Sequence, residues 1–247
     1  MSKEDFRDRL LAQLDRAEAL QARVVEEARF RERRSALREW QAARLARTHR
    51  DLLESPRFHD AAEFFLEDLY GPKDLSRHIE DVRRIAPLMM SLLPPPALAA
   101  VAHAVELNAL TESLDGDMAD ALGEGRRIDA SAYGNAYREV GRAEDRRRQI
   151  DLIARLGEGL EALTHQRFIG VALRMMRRPA ELAGLGELQG FLERGYAAFA
   201  AMRGGAGEFV AIVVERERKI SAAVFAGDDS PLEGPPDSPE DIATRRA

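Results

Sequence analysis

Cysteine is absent from the 247 residues. That removes disulfides, thiolate nucleophiles and every metal site built on sulfur, and it suits a reducing cytoplasm. Aromatic residues are scarce at 6%, and no ladder of rings accompanies the basic residues to stack nucleic-acid bases. No run approaches the roughly 18 consecutive apolar residues that a membrane span needs. The opening residues, MSKEDFRDRL, carry no apolar stretch after their charges and do not read as a secretory signal. Proline and glycine are missing between Ser2 and Glu54. The expectation is a soluble, cytoplasmic protein with no membrane contact and no cofactor.

What is present points to helices. Hydrophobic residues make up 45% and charged residues 32%, enough for a packed core and a solvated surface in one large domain or a domain with an appendage. Ala, Leu, Glu and Arg dominate, and these lose little rotamer freedom in a helix. A formal net charge of −6 opposes wholesale nucleic-acid binding but leaves room for a local basic patch.

Ser2 and Asp5 together resemble a helix start. Phe6, Leu10, Leu14 and Ala17 then make an apolar stripe that Val24 and Ala28 continue, and that Leu37, Trp40 and Leu45 follow less regularly. Residues 1–54 are therefore expected to form one long, charged helix with an interrupted seam. Such a helix pairs with another chain in coiled-coil fashion or bends back across its own domain. Between Ala28 and Arg50 lie eight arginines, against Glu32 and Glu39. The simplest reading is a solvated face supported by pairs such as Glu27–Arg31. The functional reading is a surface for an anion or an acidic partner, offered by Arg33, Arg34 and Arg38.

Residues 55–226 read as an all-α domain of seven to nine helices. Ser55-Pro56 opens a helix through Phe58, Ala62, Phe65 and Leu69, which Gly71-Pro72 stops. Another runs from Ser76 and is kinked at Pro87. The stretch from Ala97 to Leu110 is apolar on both sides, which marks the centre of the core. Gly116, Gly123 and Gly125 loosen the chain before a helix near Ala130–Val140. Further helices are expected over 142–163, over 168–175 until Pro179, over 185–199, and through FVAIVV (209–214), where helical spacing continues to Val224. From Gly227 to Ala247 the composition predicts a disordered acidic tail.

Few residues invite chemistry. His103 and Glu106, one turn apart in the apolar stretch, are costly to bury unless paired or liganded. They are weak metal candidates, since the Glu-x-x-His order of two-metal bundles is reversed and Glu63, Glu67, Glu161 and His165 do not repeat it. A hydrogen-bonded structural pair is the simpler reading. Arg77 and Arg84, beside the Gly71-Pro72 turn, can hold an anion or clamp nearby carboxylates. Gly157-x-Gly159 and Gly184-x-Gly186 follow no strand, which excludes a dinucleotide loop. Met89-Met90 and Met175-Met176 read first as core filler.

The stretch FFLEDLYGPKDLSRHIEDVRRIAPLMMSLLP (64–94), with AVELNALTESLD (104–115), QIDLIARLGEGLEAL (149–163) and PAELAGLGELQGFLERGYAAFAAM (179–202), resembles a helical family of uncharacterised bacterial proteins. The resemblance covers about residues 55–225. It implies a helical domain of unknown function and carries over no catalytic residue. Three functions stay open: a scaffold whose N-terminal helix pairs with itself or with a protein partner, a metal- or small-ligand-binding enzyme around His103 and Glu106, and an anion or nucleic-acid binder using Arg29–Arg50.

Overall fold

The computed structural model describes residues 12, 13, 15, 27–66, 81, 83–86, 95–123 and 127–234. Their elements are α1 (Ala28–Thr48), α2 (Arg50–Glu54), α3 (His59–Phe64), α4 (Pro95–Leu122), α5 (Ala130–Val140), α6 (Ala143–Thr164), α7 (Arg167–Leu182), α8 (Gly186–Ala201) and α9 (Ala206–Phe225), followed by a 3-10 turn over Ser230–Glu233. Among the described residues there is no strand, and FVAIVV is helical as its spacing predicts. No single helix among these residues is long and apolar enough to cross a membrane. Helices α8 and α9 would be so together, but they meet at 101°. Arg203 (φ 50°) and Gly204 (φ 84°), both left-handed, make that corner.

Helix α6 is the axis of the body, with α4 and α9 packed along it. Gly157 allows this approach, because a Cβ there would stand 2.3 Å from a methyl carbon of Val210 on α9. One apolar cluster joins Phe58, Phe64, Phe65, Ile153, Phe199 and Phe209. A second joins Phe30, Leu37, Met118, Tyr133, Val224 and Leu232. Helix α1 packs on α4 and so contributes to the second core.

Four expectations change. The uninterrupted helix to Glu54 breaks at His49, which leaves helical geometry (φ −114°, ψ 25°) while its ring nitrogen Nε2 lies 3.3 Å from Glu217 on α9. The upstream part of that helix, apart from residues 12, 13 and 15, lies outside the described residues. Gly116 does not loosen the chain: it is buried within α4, which runs on to Leu122 and ends at left-handed Gly123 (φ 67°). The deepest part of α4 is accordingly Leu114–Ala119 rather than residues 97–110, since Leu114, Met118 and Ala119 are all fully buried. Finally, the expected disordered tail begins with an ordered turn. Leu232 is 1% exposed, Arg47 donates to the Glu233 carbonyl at 3.2 Å, and Arg138 grips Asp229 at 2.6 Å. One large apolar side chain where α1, α5 and α9 converge, together with these two arginine ties, holds residues whose average composition is polar. Residues 235–247 lie outside the described residues.

Candidate functional site

The arm arginines are held from the sequence upward by one helical stripe. Phe30, Arg34, Leu37, Arg38, Arg44 and Leu45 are all buried on the same side of α1, at the three- and four-residue steps that share a helix face. Within α1 the seam is thus carried on through half-buried Gln41, with arginine standing at positions usually apolar. Arg34 and Arg38 both donate to Glu112 on α4, Arg38 at 3.2 Å. Arg44 donates to Glu217 at 2.5 Å. Burial pushes the Glu217 carboxyl up, but the charges and hydrogen bonds of Arg44 and His49 more than reverse this and hold it down at about 2. Arg33, nearer the surface, reaches Asp120 at 3.4 Å. The acidic groups met by Arg33, Arg34 and Arg38 therefore belong to the same chain, and Arg34 and Arg38 form no solvated face.

No hydrogen bond joins His103 to Glu106, although Glu106 lies close enough for its charge to act on the imidazole. Glu106 receives Arg148 Nε at 2.8 Å. His103 is half-buried with no hydrogen bond among the described residues, and burial and then Arg155 push its imidazole below the usual range, against an opposing pull from Glu106. No group of three or more metal-ligating side chains gathers among the described residues. Arg84 is partly exposed, donating to Asp81 at 3.0 Å and to the Ala183 carbonyl at 3.2 Å. Glu63 is exposed. Glu67 and Arg77 lie outside the described residues.

The feature that sequence reasoning placed wrongly is α7. Phe168, Val171 and Met175 continue an apolar periodicity and read as core, yet all are exposed. So are Met176 and Leu182, with Met175 at 73% and Leu182 at 90%. Helix α7 leans on α8 by its other side. There Gly170 lies against Tyr196, Gln189 donates to the Leu173 carbonyl at 2.6 Å, Arg177 Nε reaches Glu193 at 3.1 Å, and Ala180 is buried. At about 100° per residue, the exposed Phe168, Val171, Ala172, Met175, Met176, Pro179 and Leu182 fall within roughly 140° of one face. Pro179 does not end the helix; its ring joins this face. Arg174 and Arg178 run along one edge of it, both exposed, and Arg174 adds to the main effect of Arg177 in holding the Glu193 carboxyl of α8 down. In sequence α7 is plainly amphipathic, with Arg174, Arg177, Arg178 and Glu181 opposite the apolar residues, and that pattern does not say whether the apolar face meets a neighbour or solvent.

Together these features define an all-helical domain tied by buried arginine–carboxylate pairs and carrying, among the described residues, an exposed apolar helix face. Residues 20–231 match a family described as a domain of unknown function (DUF8198), and the chain belongs to that family. The match extends the resemblance seen over residues 55–225 into the arm. No curated protein and no solved structure matches the chain.

Proposed function

We propose that this is a non-catalytic interaction protein, and that it docks the helix of a partner protein on the exposed face of α7. The observation that carries the reading is that face itself: seven contiguous apolar residues on one helix, where an ordinary surface helix buries its apolar stripe. The partner's chemistry follows from the edge. A symmetric pair of α7 helices would bring Arg174 near Arg178 of the second copy, which repels. A partner helix with an apolar stripe edged by carboxylates neutralises the same arginines. An anionic lipid sheet is less well matched, because its field acts on the whole chain, whose net charge is −6. The arm is a poorer candidate over residues 28–54, since these are already committed to α4 and α9.

A photoreactive residue placed at Met175 in the producing cells tests this. The expected result is an adduct with a protein whose crosslinked segment is an amphipathic helix edged by Asp or Glu. The purified pair should then bind at least tenfold more weakly after Arg174→Glu, or after the double change Val171→Glu and Leu182→Glu, with the melting temperature of the variants unchanged. A dimer crosslinked through this face, flotation with phosphatidylglycerol vesicles, or an affinity indifferent to these changes overturns it.

A further inference from the structure

Between the two apolar clusters lies a cavity of about 70 Å³, walled by residues of α1, α4, α5, α6, α9 and the C-terminal turn. A single water needs about 10–15 Å³ measured in this way, so the space suits a molecule of several heavy atoms. Arg146 on α6 is a wall residue, only 5% exposed. Its guanidinium is fixed on two sides: the Tyr137 ring lies beneath it at 4.5 Å, and Nη1 donates to Gln149 at 3.4 Å. Gln149 is itself held, donating to Thr111 at 2.7 Å. The remaining donors, Nε and Nη2, have no partner among the described residues.

Those two atoms form one edge of the guanidinium, with parallel N–H groups spaced to match the two oxygens of a carboxylate or phosphate. A buried cation left with an open fork is costly unless something completes it. Two acidic side chains also line the cavity. Glu217 is taken by Arg44. Asp115 accepts from Gln41 at 3.0 Å and forms no ion pair with Arg146. Arg44, also in the wall, offsets Glu217, which leaves Arg146 facing the single carboxylate of Asp115 and favours a singly charged guest over a doubly charged one.

We infer that this cavity is a binding site for a small monocarboxylate, whose two oxygens accept from Arg146 Nε and Nη2. The inference does not depend on the α7 surface, which lies on another helix.

Acetate, glycine and sulfate, titrated into the full-length protein, give the test. Acetate and glycine should each raise the melting temperature in a saturable way, and sulfate at matched ionic strength should not. In Arg146→Gln the affinity for acetate should fall at least tenfold. Carbon-13-labelled acetate provides a readout that needs no variant, since its methyl protons should show NOEs to the Tyr137 ring and the Thr111 methyl of the wild-type protein. Binding retained in Arg146→Gln, sulfate bound as tightly as acetate, or no saturable response with no NOE at high acetate overturns the assignment.

Discussion

Arg44 and Glu217 meet at 2.5 Å across 173 residues of sequence, tying the first helix of the described body to its last. Neither charge is well solvated, so each depends on the other. Glu217→Gln takes from buried Arg44 the carboxylate to which it donates at 2.5 Å. The expected cost is about 3–5 kcal/mol, or roughly 6–20 °C in melting temperature for a chain of this size. Thermal melts at neutral pH check it.

The same pair makes stability depend on acid. The Glu217 carboxyl titrates at about 2 in the folded chain against an ordinary 4.5, so the unfolded chain binds that proton more tightly. Its contribution is complete above about pH 4.5 and is lost as pH falls toward 2. Urea titrations at pH 6, 4 and 3 should show the gap between wild type and Glu217→Gln narrowing over that window. A constant gap contradicts the assignment.

Two glycines in α6 should respond oppositely. Gly157→Ala drives a methyl into Val210 and is expected to cost about 1–3 kcal/mol. Gly159→Ala places its methyl 3.5 Å from that of Ala100, an ordinary contact, and should gain up to about 1 kcal/mol from helix propensity. Paired denaturant curves decide.

The C-terminal turn should behave as core. Leu232→Ala is expected to destabilise by about 2–5 kcal/mol. A residue in a disordered tail would give no change in the midpoint.

Helical spacing located α5 to α9 within a few residues, because each carries an apolar stripe with the period of its own backbone. It could not identify what lies opposite a stripe. The apolar residues of α7 have the same rhythm as those of α9, yet one set meets solvent and the other meets α6. Arginines posed the reverse difficulty. Arg146, Arg147 and Arg148 are indistinguishable in sequence, but Arg146 is buried at a cavity, Arg147 pairs locally with Glu144, and Arg148 reaches Glu106 on another helix. The partners of Arg34, Arg38 and Arg44 stand 74 to 173 residues away, beyond any local pattern. Leu232 was hidden by its neighbours, since a window average over Asp, Pro and Gly masks one anchoring side chain.

The bond between Arg44 and Glu217 also sets an order of events on the ribosome. At roughly 5–20 residues per second, the carboxylate is made about 9–35 s after the arginine it neutralises. Until then the inward stripe of α1 has its acidic partner at Glu112 but not at Glu217, and the wall that α9 supplies is missing. Closure of the domain is therefore late, and a nascent chain halted before residue 217 presents a half-formed core with a cation inside it. Such a chain is the natural target of chaperones and proteases.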